Sequence, residues 1–318
     1  MSESSTDYVF GPVPSRRLGR SLGIDLVPFK TCSYNCIYCQ LGRTTCLTAE
    51  RKEWVPADCV LEQVKRKLAG QVRADVVTFS GSGEPTLHSR IGDIIRGIKA
   101  ITEIPVVVLT NSSLLWQPEV RKDIRAADIV VPSLDAGDES TFSYVNRPHP
   151  DISFNLMLEG LRAFREEYTG QFWLEVFLLR GVTAIEAEVR KMAAIVEQLH
   201  PDRLQLNSVA RPPAEEFAFA VPKERMIDLA ALFGQEAEVI SEDSHVFEQA
   251  DFETCREDIR SLLLRRPCTI DDIAEGLGMH RDEVIKYVEE LSSEGQVMQR
   301  RQDLATFYWA VGGTAAKN

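Results

Sequence analysis

At 318 residues the chain is long for one average domain and short for three, so one large and one small domain are expected. Hydrophobic content of 44% beside 26% charged residues is that of a globular protein, and no apolar run reaches the length of a membrane span. A formal net charge of −12 excludes a general nucleic-acid coat, and an N-terminus lacking the features of an export signal, together with seven cysteines, points to the cytoplasm and to thiols or metal ligands over disulfides.

Continuous apolar runs at 22–28, 74–81, 104–111, 127–135, 172–179 and 203–209 predict parallel strands covered on both faces. Segments of helical period at 60–72, 91–102, 117–126, 152–168 and 185–199 lie between them. Ile91, Ile94, Ile95, Ile98 and Ile101 share one helical stripe, as do Ile185, Val189, Met192, Val196 and Leu199, and both stripes are expected to face the core. Repeated β–loop–α units imply an α/β fold with right-handed crossovers. Six units make a partial (β/α)6 barrel, about three quarters of a full one, with any chemistry at the C-terminal strand ends.

Beyond residue 209 the pattern is broken by Arg211-Pro212-Pro213, followed by a predicted helix at 223–233 and a short strand at 237–241. Helices are then expected at 255–265, 269–276 and 281–294, with a hairpin from Gln296 to Trp309. Three helices and a two-stranded wing describe a winged-helix domain, giving expected domains at 1–245 and 252–318. The third helix sets four acidic side chains against Arg281 and Lys286, a poor surface for DNA phosphates, and Arg300-Arg301 is the basic spot in the wing. A module that docks a protein or RNA substrate, or one that packs on the barrel, suits this charge better.

The chemistry-bearing motif is Cys32-Ser33-Tyr34-Asn35-Cys36-Ile37-Tyr38-Cys39, directly after the first predicted parallel strand. Spacings of three and two residues let one loop wrap an iron–sulfur cluster, and three thiolates for four irons leave one iron open to a substrate. Zinc with a fourth ligand such as Cys46 or Cys59, or plain thiols, are the alternatives at this point. Cys46 and Cys59 are not spaced for a second cluster, Cys255 and Cys268 lie in the small domain, and all four are expected to be structural or free thiols. Arg16, Arg17, Arg20, Lys30 and Arg43 gather near the motif, as a basic patch or as ordinary salt-bridged groups.

Each later strand end carries polar residues. The second reads Gly81-Ser82-Gly83-Glu84, where glycines admit close backbone approach and a carboxylate can accept from an ammonium group. Asn111 closes the third, Ser133 and Asp135 the fourth, and Asn207 with Ser208 the sixth. These residues suit a polar ligand at the mouth, with helix capping as the plainer role for Asn111, Ser133 and Asp135. His88 is expected to fix the glycine–glutamate loop, and Arg147 to reach an anion or a surface salt bridge.

The cysteine motif in this position resembles the signature of the radical S-adenosylmethionine (SAM) superfamily. The stretch from Phe10-Gly11-Pro12 to Gln40-Leu41-Gly42 resembles the iron–sulfur oxidoreductases related to tRNA wyosine-base synthases. The resemblance implies a [4Fe-4S] cluster on Cys32, Cys36 and Cys39, with SAM chelating the open iron. It places Tyr38 near the adenine and assigns the amino group of SAM to Gly81, Gly83 and Glu84. Asn111, Ser133 and Asp135 then meet its carboxylate and ribose, and Asn207 the adenine or the substrate. An electron donor such as flavodoxin or ferredoxin is implied, with a protein, a peptide or tRNA as substrate. The rival from another class is a redox-sensing regulator acting through the winged helix.

Overall fold

A computed structural model describes residues 8–15, 17–70, 72–210, 213–240, 256–279, 281–302 and 305–312. The chain opens with β1 (Val9–Ser15) and β2 (Gly19–Ile24), then a long loop holding the short strands β3 (Thr31–Cys32) and β4 (Cys46–Leu47). There follow α1 (Ala57–Ala69), β5 (Val76–Phe79), α2 (Ile91–Lys99), β6 (Val106–Thr110), α3 (Pro118–Ile124) and β7 (Ile129–Pro132). After α4 (Glu139–Val145) and α5 (Phe154–Glu167) come β8 (Gln171–Leu178), α6 (Glu186–Leu199), β9 (Arg203–Ser208), α7 (Lys223–Ala230) and β10 (Ala237–Val239). A last unit comprises α8 (Arg256–Arg265), α9 (Ile270–Leu277), α10 (Arg281–Ser293) and the hairpin β11 (Val297–Gln302) and β12 (Ala305–Ala310).

One sheet runs β1-β2-β5-β6-β7-β8-β9-β10, parallel throughout except for the antiparallel β1. Its two edges, β1 and β10, do not pair with each other, so the sheet is open. The six predicted strands are β2 and β5 to β9. The hairpin with β1 was not predicted, because Pro12 and Pro14 and a register shift between Phe10 and Val13 interrupt any strand pattern. Nor was α4, only seven residues long; it starts where the Asp138 carboxylate accepts from Thr141 N at 2.9 Å and pairs with Lys191.

Successive residues of a strand point to opposite faces, and the two faces of this sheet differ. Outward go Leu22, Ile24, Val77, Phe79, Val106, Val108, Leu174 and Val176, packed on the apolar stripes of α1, α2, α3, α5 and α6 in the main core. Ile91, Ile94, Ile95 and Ile98 are fully buried there. Ile101 and Ile185, expected on the same stripes, are 39% and 49% exposed, because α2 ends at Lys99 and α6 begins at Glu186. Inward, at the N-terminal ends of the strands, Leu18, Val76, Val107, Val131 and Trp173 form a small separate core. Above this plug the inward residues turn polar, so the helices between the strands cover the outer face only, against the expectation of cover on both.

The C-terminal unit has its own core of Ile259, Leu262, Leu263, Ile273, Val284, Val288 and Leu291, into which Phe10 of β1 inserts. Gly23 makes room for that ring, since a Cβ there would lie 2.2 Å from it. Thr269 and Asp272 form a reciprocal capping box that starts α9. Side chains at 281–283, 286 and 290 of α10, where the sequence reading placed its charge pattern, lie outside the described residues, as do Arg16, the 211–212 break and Cys255. Arg300 and Arg301 are exposed on β11.

Candidate cofactor site

The polar half of the inner face opens into a cavity of about 410 Å³ at the C-terminal strand ends. Its wall includes Ser21 and Asp25 from β2 and its end, Thr78 from β5, Asn111 after β6, Ser133 after β7, Glu175 and Phe177 from β8, and Asn207 from β9. One surface thus spans six strands, so the sheet curves around the cavity. Across the mouth lies the loop that carries Cys32, Cys36 and Cys39, all three of which line it.

Backbone bonds pin that loop on two sides. Asn35 N donates to Asn146 O at 3.0 Å and Ile37 N to Val145 O at 3.0 Å, tying it to the end of α4. Lys30 N donates to Ser82 O at 2.7 Å and Glu84 N to Thr31 O at 3.3 Å, tying its start to the glycine loop. Two side-chain amides point at its sulfurs: Asn111 Nδ2 lies 3.5 Å from Cys32 Sγ and Asn146 Nδ2 lies 3.5 Å from Cys36 Sγ. Asn111 also donates to Ser33 Oγ at 3.0 Å. Cys32, Cys36 and Cys39 form no disulfide, and amide donors aimed at sulfur match thiolates that ligate a cluster.

The glycines of the second strand end have steric reasons. Gly81 has φ +101, and a Cβ on it would lie 1.8 Å from Asp25 Oδ1. A Cβ on Gly83 would lie 1.8 Å from the Thr31 carbonyl oxygen. Glu84, only 2% exposed, is held by four donors. Its Oε1 accepts from Thr86 N at 3.0 Å, Thr86 Oγ1 at 2.6 Å and Thr110 Oγ1 at 2.8 Å, while Oε2 accepts from Asn111 N at 2.8 Å. One carboxylate therefore locks the ends of β5 and β6 together and keeps acceptor capacity on Oε2 beside the cavity. Behind it His88 is fully buried, its Nε2 2.8 Å from Val55 O, and burial lowers its pKa.

Tyr38 stacks on Phe177 with ring centroids 4.0 Å apart, and its hydroxyl donates to Asp135. Asp135 also accepts from Asn146 Nδ2 at 2.8 Å. It lies behind Tyr38 and Asn146 and does not line the cavity, unlike the other residues expected there: Tyr38, Gly81, Gly83, Glu84, Asn111, Ser133 and Asn207. Asn207 Nδ2 is 3.3 Å from Glu175 Oε2, and Glu175 pairs with Arg17 across the cavity floor. Arg147 pairs with Glu215, which also binds Arg43 at 2.9 Å, so Arg147 is a salt-bridge residue of the rim. Cys46 and Cys59 are exposed thiols, and Cys268 is buried in the C-terminal unit.

Burial dominates the electrostatics. It pushes the Cys32 thiol up to about 12, with the Glu84 charge adding to it, and raises Cys36 and Cys39 as well. It also raises Glu84 and Asp135, against hydrogen bonds that pull both down. Thiols so placed give up their protons to a bound metal centre, whose positive charge inverts that preference.

Sequence reasoning did not find Asp25, Glu175 or Arg265. Asp25 accepts from Ser82 N at 2.8 Å and pairs with Arg265, which reaches from the end of α8 and lies 3.9 Å over the Phe10 ring. Arg265 and Arg266 thereby bring the C-terminal unit into the cavity wall. A pairing across 240 positions leaves no local signal in the sequence.

A sequence profile of the radical SAM superfamily matches residues 26–193. A protein of Brachyspira hyodysenteriae named GTPase Obg is 39% identical over 301 residues, covering 94% of this chain but 44% of that protein. The chain therefore spans less than half of that relative. A UPF0026 protein of Methanocaldococcus jannaschii is 33% identical over 308 residues, 94% of each chain. Among solved structures, Streptococcus suis SuiB bound to S-adenosylmethionine superposes with a TM-score of 0.51 at 14% identity, covering 75% of this chain and 54% of that one, a likeness of fold.

Proposed function

The chain belongs to the radical SAM superfamily, and from that premise we propose that Cys32, Cys36 and Cys39 ligate the family's [4Fe-4S] cluster while the adjoining cavity holds SAM. When bound, the cluster supplies the electron that cleaves SAM to methionine and a 5′-deoxyadenosyl radical, which takes a hydrogen atom from the substrate. The observation that carries this reading is the meeting of three thiols, two of them faced by asparagine amides, with Glu84 on one cavity wall.

The chain's own groups then divide the work of holding SAM. Glu84 Oε2 accepts from the SAM ammonium, and Gly81 and Gly83 let the backbone come close beneath it. Tyr38, held flat by Phe177 behind it, offers a ring face to the adenine. Asn111, Ser133 and Asn207 bind the carboxylate, ribose and adenine edge. Asp135 is a positioning residue that fixes the Tyr38 hydroxyl and the Asn146 amide. Arg17 and Glu175, paired on the cavity floor, face the hydrogen donor.

In the same reading, residues 1–245 form a partial barrel and 252–318 a winged-helix domain that docks a protein, peptide or tRNA substrate. The enzyme works in the cytoplasm with flavodoxin or ferredoxin as electron donor. No helix among the described residues is long and apolar enough to cross a membrane.

The test is anaerobic reconstitution with iron and sulfide, followed by dithionite, SAM and chromatography for 5′-deoxyadenosine. Wild type forms the nucleoside, and Cys36→Ala loses cluster loading and product together, by at least about a hundredfold. A Cys36→Ala protein that loads and turns over like wild type removes the cysteine assignment.

A further inference from the structure

Of the five basic residues near the cysteines, three have found carboxylates: Arg17 with Glu175, Arg20 with Asp75 and Arg43 with Glu215. Lys30 is different. It is 7% exposed, lines the cavity and has no carboxylate partner among the described residues.

The carboxylates of the cavity wall are all engaged elsewhere. Asp25 is held by Arg265 and Ser82 N, Glu175 by Arg17, and Glu84 by its four donors. Lys30 Nζ lies 5.2 Å over the Phe29 ring and shares the cavity wall with Cys32, Cys36 and Cys39. Burial lowers its pKa and Cys39, anionic once it ligates a cluster, opposes that shift. Its backbone is fixed in a left-handed conformation, φ 58, by bonds from Lys30 N to Ser82 O and from Thr45 N and Cys46 N to Lys30 O. A buried charge is retained only where an opposite charge offsets its desolvation.

We propose that Lys30 is the counter-charge of the cluster, a positioning residue that favours the reduced state electrostatically. The inference rests on the proposed assignment of Cys32, Cys36 and Cys39. One-electron reduction of the cluster by an external carrier adds one negative charge to a site already anionic from three thiolates. A buried ammonium on the wall that carries the three cysteines stabilises that added charge more than the oxidised state, so the reduction potential rises. Lys30 touches neither the C5′–S bond nor the hydrogen donor in this role.

The test compares wild type with Lys30→Met, Lys30→Gln and Lys30→Arg, each reconstituted anaerobically. Iron content, cluster potential from redox titration followed by electron paramagnetic resonance, and SAM affinity by calorimetry are read for each. Met and Gln are expected to lower the ratio of reduced to oxidised cluster about tenfold at a fixed donor potential, about 59 mV for one electron, with Arg restoring it. Iron loading and SAM affinity stay within about twofold in this outcome. Equal potentials in loaded wild type and both neutral variants overturn the proposal. So does SAM affinity lost at unchanged potential, which makes Lys30 a ligand of the SAM carboxylate. If wild type itself fails to load a cluster, the assignment of the three cysteines fails first.

Discussion

The two faces of the sheet are built from alternate residues of the same strands, yet they serve opposite ends. The outward face, with Leu22, Ile24, Val77 and Phe79, is uniformly apolar and packs on helices. The inward face carries Ser21, Thr78, Glu175 and Asn207 around the cavity, their polar groups matched by partners such as the 2.7 Å bond from Ser21 to Thr78. Stability is concentrated on the first face and chemistry on the second, with one residue of separation along the chain. Substitutions on either side should therefore separate folding from ligand binding.

The largest effect is expected from Phe79→Ala on the outward face. Phe79 is fully buried, and its truncation should cost about 3–5 kcal/mol in urea unfolding. Protein that remains folded should keep its SAM affinity, and a loss of affinity at full stability would blur the two faces. Gly83→Ala is the converse. Its new Cβ meets the Thr31 carbonyl at 1.8 Å, so the cysteine and glycine loops must part. A smaller destabilisation, about 1–3 kcal/mol, should come with at least a tenfold loss of SAM affinity by calorimetry.

The smallest effect concerns Asp138, outside both faces. Lys191, and then the Thr141 amide, hold its carboxyl down at about 2, below the ordinary 3.8. A depressed acid contributes stability above its unfolded pKa and loses it as pH falls through the folded value. The contribution is thus full at neutral pH and fades between about pH 4 and 2. Because the carboxylate is 35% exposed, screening limits the ion pair to well under about 1 kcal/mol. Asp138→Asn, which keeps the cap, should be that much less stable at pH 7 and match wild type near pH 2 in urea unfolding. SAM affinity should not change.

The strands and most helices were legible because continuous apolar runs and helical stripes are local signals. The same runs misled about cover: a short run with an occasional serine or threonine looks apolar on both sides, while Ser21, Thr78 and Ser133 lie on one face. The cysteine loop and the Gly81–Glu84 turn were readable because their spacing carries the chemistry. Asp135 looked like a ligand contact from its strand-end position, but the fold engages its carboxylate with the Tyr38 hydroxyl and the Asn146 amide, off the cavity wall. Lys30 was visible as one of several basic residues. Its isolation becomes apparent only once the tertiary fold has supplied the other arginines with carboxylates from 55 to 172 positions away.

The open sheet leaves two strand edges, and exposed edges invite another molecule to add a strand. Here both are blunted. β1 carries Pro12 and Pro14, which lack donors, has a broken register, and surrenders Phe10 to the C-terminal core; β10 is three residues long. The hairpin that lies outside the parallel pattern thereby guards the molecule against edge-to-edge polymerisation, and a chain cut before α8 would expose that edge and aggregate.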